Sequence, residues 1–284
     1  MSTRSILIVG CGAIGTPLGL QLASEGHTVW GLRRSGTLPE PINTLNADVT
    51  DRESLVSLGS LRFDYIVVTL TPGEFSDQRY QAVYVQGLTN VIAALNNREA
   101  VKRLFFVSST SVYHQNDGQW VDENSAAEPK TFSGQRLLEA EQVATTQAIA
   151  HCVIRFAGIY GPGRRRLIEQ VAAGQGCPLS PPLFTNRIHR DDCIGFLAHL
   201  IRMDCEQQAL ANCYIGVDSE PATLWEVKSW IAEQLGIDPS TLTNGDKTRR
   251  NSKRCSNARL LATGYMLRYS DYRQGYGELL ADEN

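Results

Sequence analysis

Three glycines in the run GCGAIG, namely Gly10, Gly12 and Gly15, have the spacing with which a backbone cradles a pyrophosphate. The first permits a tight turn, the second lets the main chain approach the phosphates, and the third allows a helix to pack closely on a strand. With Ala13 and Ile14 they form one loop between an apolar run and a helix start, whose free N–H groups would face the anion. A strand before the loop, a helix after it and a second strand at the right distance turn a weak motif into a dinucleotide site. The second strand ends in HTVWGLRRS, at the place where an acid would bind the ribose 2′-hydroxyl of NAD. Arg33 and Arg34 stand there instead. A guanidinium fork suits a 2′-phosphate, so NADP is favoured, with NAD as the alternative.

Such residues need a scaffold that brings strand ends and helix starts to one edge. SILIVG, HTVWGL, TLNADV, FDYIVVTL, RLFFVSS and CVIRFAGIYG are short runs rich in β-branched and aromatic residues and closed by Gly, Asp or Ser, which predicts buried strands. Between them TPLGLQLASEG, RESLVSLGSL, QRYQAVYVQGLTNVIAALNN and FSGQRLLEAEQVATTQAIA space their apolar residues as helices do. The alternation predicts an α/β fold of the Rossmann type, a doubly wound parallel sheet covered on both faces. Beyond residue 161 the pattern loosens. GPGRRRLIEQVAAGQG, RDDCIGFLAHLIRM and TLWEVKSWIAEQLG read as helices, the last capped by Thr223, ANCYIGV as a strand, and NGDKTRRNSKRCSN as a basic surface loop. The expected division is a dinucleotide-binding domain over 1–160 and a smaller substrate lobe over 161–284, interleaved with the sheet.

Bulk composition narrows the partners. At 284 residues, 42% hydrophobic and 20% charged, with a net charge of -3, the chain is an ordinary globular one, not the basic protein that a nucleic acid would select. No run approaches the ~18 apolar residues of a membrane span. The seven cysteines are irregularly spaced without a C-x-x-C pair, which points to reduced thiols, a cytoplasmic location and no metal.

Several segments, spread from residue 6 to about 235, resemble in order the motifs of the extended short-chain dehydrogenase/reductases, the superfamily of nucleotide-sugar epimerases and dehydratases. NADVTD resembles the third-strand motif, VSSTSVYH the segment after the fifth strand, VIRFAGIYGPG the YGPG segment, and NRIHRDDCIGFL the start of the substrate lobe. Among its members the chain is most similar to the atypical NAD-dependent epimerase/dehydratase family proteins. The resemblance implies that Asp48 contacts the adenine amino group, that Leu70 lines the cofactor, and that Ser109 polarises the substrate oxygen. Tyr160, Arg164 and Arg187 would meet substrate, and the helices over QRYQAVYVQGLTNVIAAL and FSGQRLLEAEQVATTQAIA would form a homodimer.

Catalysis in that superfamily runs through a tyrosine and a lysine four residues later. The lysine ammonium lowers the phenol pKa and holds the nicotinamide ribose. In KTFSGQRLLEAEQ the register of LLEAE puts Phe132 on the tyrosine position and Arg136 on the lysine position, on one helical face. Phenylalanine has no proton to give. No tyrosine elsewhere is followed by lysine at the fourth position, and no lysine occurs between residues 131 and 227. Arg136 could still hold the ribose, and Tyr113 or His114, just beyond Ser109, could carry the proton.

Two basic clusters, Arg164 with Arg165 and Arg166, and Lys247, Arg249, Arg250, Lys253, Arg254 and Arg259, suit an anionic substrate such as a nucleotide sugar, or else are solvated surface. His189 and Asp192 would meet ligand or fasten the lobe. The expected activity is hydride transfer between NADP and a nucleotide-linked sugar or similar hydroxyl or carbonyl compound. The alternatives are a non-catalytic NADP-binding or redox-sensing module, and an isomerase whose cofactor is structural.

Overall fold

A computed structural model describes residues 3–243 and 252–281. The chain opens with β1 (Ser5–Val9), α1 (Gly15–Ser24), β2 (Thr28–Arg33), β3 (Asn43–Asn46) and β4 (Tyr65–Val68). It then forms α2 (Asp77–Tyr80), a π turn over Gln81–Gln86, α3 (Gly87–Ala94) and β5 (Arg103–Ser109). Next come β6 (Gln119–Val121), α4 (Phe132–Thr145), β7 (His151–Phe156), β8 (Gly158–Tyr160), α5 (Arg166–Ala172), β9 (Phe184–Thr185), β10 (Arg187–His189) and α6 (Arg190–Cys205). The remainder is β11 (Cys213–Gly216), β12 (Ala222–Thr223), α7 (Leu224–Gln234), β13 (Lys253–Cys255), α8 (Ala258–Leu261) and α9 (Tyr272–Ala281).

Seven strands make the main sheet in the order β11-β7-β5-β4-β1-β2-β3, with parallel register from β3 across to β5. Ile6, Leu7, Ile8 and Val9 are fully buried, as are all four residues of β4, because helices cover both faces. The chain runs outward from β1 to β3, returns to the other side of β1, and runs outward again. The reversal lies between β1 and β4, and the carboxyl ends of strands at such a reversal are where open α/β sheets bind ligands.

Contacts divide the chain into two units whose segments interleave: Met1–Val112 with Ala127–Arg155 and Ile194–Tyr214, and Tyr113–Ala126 with Phe156–Cys193 and Ile215–Asn284. Within the first, α4 is fixed to the strands by a buried network. Ser108 Oγ donates to Glu141 at 2.5 Å, and Arg155 clasps the same carboxylate through Nε at 3.0 Å and Nη2 at 2.5 Å. The helix begins where Thr131 accepts the Gly134 amide and ends at Thr145, five residues before the expected limit, as Thr145 and Thr146 turn their hydroxyls back onto the Gln142 carbonyl.

The second unit has its own core, built from Tyr160, Ile168, Val227, Ile231, Tyr272 and Tyr276 among others. Thr223 and Glu226 form the capping box that opens α7. Asp192, fully buried, accepts the amides of Arg268 and Tyr269 and the Tyr265 hydroxyl, so it ties α6 to the segment before α9. Two expectations change here. The helix after YGPG starts at Arg166, leaving Arg164 and Arg165 in the turn before it. The basic stretch expected as surface loop contains β13, paired in parallel with β6, and Lys253 is buried in it because its ammonium finds a backbone carbonyl. Lys247, Arg249 and Arg250 lie outside the described residues.

Candidate active site

The glycine loop follows Val9 at the end of β1, and Thr69 and Leu70 follow Val68 at the end of β4. Thr69 Oγ1 donates to the Gly10 carbonyl at 2.6 Å and so closes the two strand ends together. Gly10 has φ +100°, and a Cβ there would lie 2.9 Å from the Thr69 carbonyl oxygen. A Cβ on Gly15 would lie 2.4 Å from the Gly10 oxygen, so this glycine is fixed by packing. Gly12 differs from both: nothing stands within 4 Å of the position a Cβ would take. The open space is above the main chain, at the start of a helix with no side-chain cap and no acid in its first turn. A pyrophosphate fits this cradle in shape and sign. Cys11, inside the loop, is buried, and that burial pushes its thiol up to about 12 despite the charge of Arg33, which leaves it inert.

At the neighbouring strand end, Arg33 is the last residue of β2 and donates through Nη1 to the Thr37 carbonyl at 3.4 Å; Arg34 is exposed. Asp48 accepts the Thr50 amide at 2.9 Å and the Thr50 hydroxyl at 2.7 Å. Partial burial works to raise its pKa, but these two bonds, with the charges of Arg79 and Arg34, bring it below the usual carboxylate range. The acid expected near adenine is therefore ionised and held in one orientation.

Ser109 ends β5, half-buried, and its Oγ accepts the Ser111 amide at 3.1 Å, which leaves the hydroxyl proton free to point at a ligand. The start of α4 lies against the same turn: a Cβ on Gly134 would come 2.6 Å from the Ser111 carbonyl oxygen. Two residues earlier Phe132 packs in an aromatic cluster, with ring centres 4.8 Å from Phe75 and 5.5 Å from Tyr80. Phe75 is 73% exposed. Burial raises the Tyr80 phenol, so it stays protonated. Arg136 is not a free cation: its Nε and Nη2 fork onto Asp77 at 2.7 and 3.0 Å, and Nη1 meets Glu139 at 2.9 Å. All three guanidinium nitrogens thus donate to carboxylates. Glu139 was legible three residues along the helix, whereas Asp77, Phe75 and Tyr80 arrive from α2 and the loop before it, with no local signal to announce them.

The other sequence candidates belong to the second unit. Tyr113 is fully buried, and its carbonyl accepts Lys253 Nζ at 3.0 Å. His114 is half-buried, and its Nδ1 is enclosed without a hydrogen-bond partner. Tyr160 stacks on Tyr276 at 4.4 Å and Arg187 lies over the Tyr272 ring; each is only 4% exposed. Arg187 also donates to Thr185 Oγ1. Arg164 is exposed, with its backbone bridged to Gly161. His189, 2% exposed, accepts the Asp191 amide at Nδ1, and burial lowers its pKa, so its ring is a neutral packing element between Tyr160 and Tyr269. Sequence reading passed over Asp218, a carboxylate only 1% exposed; its neighbour Arg187 has, among the described residues, an unpartnered Nη1.

A parallel doubly wound sheet with a glycine cradle at its reversal defines a Rossmann-type dinucleotide-binding protein of the extended short-chain dehydrogenase/reductase type. Residues 6–183 match the NAD dependent epimerase/dehydratase family, and the chain belongs to it. A solved structure from Methylobacillus flagellatus, assigned as an NAD-dependent epimerase/dehydratase, is 40% identical and superposes with a TM-score of 0.86 over 99% of both chains. Two more distant structures share the fold. The human epimerase family protein SDR39U1 with NADPH is 20% identical, with a TM-score of 0.76 over 98% of this chain and 99% of the other. MoeE5 in complex with UDP-glucose and NAD is 22% identical, with a TM-score of 0.77 over 98% and 97%. Among the described residues no helix is long and apolar enough to cross a membrane.

Proposed function

We propose that this family member is an NADP-dependent oxidoreductase acting on a hydroxyl or carbonyl group of a nucleotide-linked sugar or a similar small molecule. The observation that carries the reading is the cradle left open above Gly12, with Arg33 and Arg34, rather than an acid, at the end of the next strand. A nicotinamide dinucleotide held there supplies the hydride acceptor or donor. The Gly12 main chain approaches the pyrophosphate, the arginines take the 2′-phosphate, and ionised Asp48 receives the adenine amino group. Ser109 directs its hydroxyl proton to the substrate oxygen. Phe132 moves no proton, so that task falls to His114 or Tyr113, and Arg136 keeps the ribose only by sharing itself with Asp77 and Glu139. UDP-glucose in MoeE5 is consistent with the substrate half of the reading, and NADPH in SDR39U1 and NAD in MoeE5 with a nicotinamide dinucleotide as the cofactor.

A second reading is a cofactor-binding module without turnover, favoured by the packing of Phe132 among Phe75 and Tyr80. Titration with NADPH and NADH, followed by incubation with a panel of sugar nucleotides, separates the two. Tight NADPH binding with turnover supports the enzyme, and binding without turnover supports the module. An Arg33→Ala, Arg34→Ala double variant should lose its preference for NADPH over NADH by about tenfold or more, the scale of one charge-assisted pair. An unchanged ratio removes the NADP assignment.

A further inference from the structure

Both ends of the loop that carries His114 are held by one strand. Residues 113–118 lack regular structure, and the chain then enters β6. β6 pairs with β13 in the register Gln119 to Lys253, Trp120 to Arg254 and Val121 to Cys255, and Gly118 N–H donates to the Ser252 carbonyl at 2.7 Å. That fixes the far end. At the near end the Lys253 side chain runs back to the Tyr113 carbonyl, 3.0 Å from Nζ. The acceptor belongs to the peptide joining Tyr113 to His114, so the bond sets the plane from which the imidazole departs. β13 is itself anchored on its other side: Asn186 Nδ2 donates to the Lys253 carbonyl at 2.9 Å and Asn186 Oδ1 accepts the Cys255 amide at 2.8 Å.

Nothing in the energetics of the core asks for a lysine here. Lys253 is 6% exposed, and among the described residues no carboxylate lies within ion-pair distance of its ammonium. Burial lowers its pKa, and the neighbouring Cys255 thiol, itself pushed up to about 12 by burial, is neutral and gives no counter-charge. A buried ammonium that, among the described residues, rests on one neutral carbonyl is costly, and an apolar side chain of similar length would fill the same space more cheaply. What methionine cannot do is donate to Tyr113. His114, meanwhile, keeps an enclosed Nδ1 with no hydrogen-bond partner among the described residues.

We propose that Lys253 is the positioning residue of the proton carrier: its ammonium fixes the Tyr113 carbonyl and thereby orients the His114 imidazole. A cation from the C-terminal segment thus does an orienting task that the helix position held by Arg136 does not. The inference rests on the reading of His114 as proton carrier.

The test uses the full chain with isotope-labelled histidine, comparing Lys253→Met, which removes the donor, with Lys253→Gln, whose amide N–H can still reach the carbonyl. The His114 ring nitrogen resonances should move in Lys253→Met while those of His27, His151, His189 and His199 stay in place, and Lys253→Gln should bring them back toward the original positions. On a substrate that turns over, Lys253→Met should lower kcat and leave the KM for NADPH unchanged. Unmoved His114 resonances in folded Lys253→Met, or an equal displacement in both variants, overturn the proposal. Should Lys253→Met fail to fold, the unaltered chain decides: a nuclear Overhauser contact between the Lys253 ε-protons and the Tyr113–His114 segment is expected, and its absence overturns the assignment. NADPH binding is scored separately, so loss of the cofactor reading is distinguishable from loss of this one.

Discussion

Arg136 and Asp77 are joined by two parallel hydrogen bonds across 59 residues of sequence, from Nε to Oδ1 and from Nη2 to Oδ2. The fork locks α4 to α2 and raises the Arg136 pKa while lowering that of Asp77, in both cases through those bonds. Introducing a tyrosine at position 132 therefore places a phenol one helical turn from a cation already neutralised by Asp77 and Glu139. Phe132→Tyr alone is expected to leave NADPH oxidation across a substrate panel unchanged. Strong turnover in that single variant would show that a paired arginine lowers a phenol pKa as a free lysine does.

Gly12 and Gly15 should respond oppositely to alanine. A methyl group on Gly12 meets no protein atom within 4 Å, so Gly12→Ala should keep its melting temperature and lose NADPH affinity, read by calorimetric titration. On Gly15 the methyl group collides with the Gly10 carbonyl oxygen, so Gly15→Ala should melt earlier whether or not cofactor is present. Undiminished binding by Gly12→Ala would displace the pyrophosphate from the loop.

Glu141 is the shared acceptor for Ser108 and Arg155, and all three residues are buried. Glu141→Ala removes the carboxylate that Arg155, at 9% exposure, and Ser108 share, and the expected loss is ~3–5 kcal/mol in a urea denaturation series. A loss no greater than that of an exposed ion pair would mean that water reaches Arg155.

Asp218 gives the stability a pH dependence of definite sign. Burial pushes its carboxyl up to about 7, although Arg187 and the Glu220 amide pull the other way. The folded chain then keeps a proton that the unfolded chain has released above ~4, so the contribution is fully present below that pH and lost as pH rises through about 7. The loss is at most ~4 kcal/mol. Asp218→Asn, which stays neutral, should flatten the denaturation free energy between those values and be the more stable chain at pH 8. Parallel pH profiles for the two chains would show that the carboxylate is ionised when folded.

The nucleotide half of the protein was readable because its signals are local. Glycine spacing, continuous apolar strands and the arginines ending β2 each occupy a few adjacent residues, and the alternation of strand and helix gave the doubly wound sheet. The identity of Phe132, a side chain with no ionisable proton, is likewise a fact of one position. Helix ends were less legible: the threonines after Gln142 stop α4 by bonding backward, a choice that apolar spacing does not record.

Partnership among charged residues was beyond the sequence. Arg136 looked free because Asp77 comes from a different helix, the run around Lys253 looked solvated because its carbonyl acceptor lies 140 residues away, and Asp218 carried no pattern at all. Apolar residues declare burial by their periodicity. A buried charge is tolerated only where the folded chain delivers a partner, and which partner arrives is decided by the path of the chain in three dimensions. The sequence determined the sheet, the cradle and the phenylalanine at position 132; the tertiary structure alone decided which cations are already spoken for and which one reaches the loop of His114.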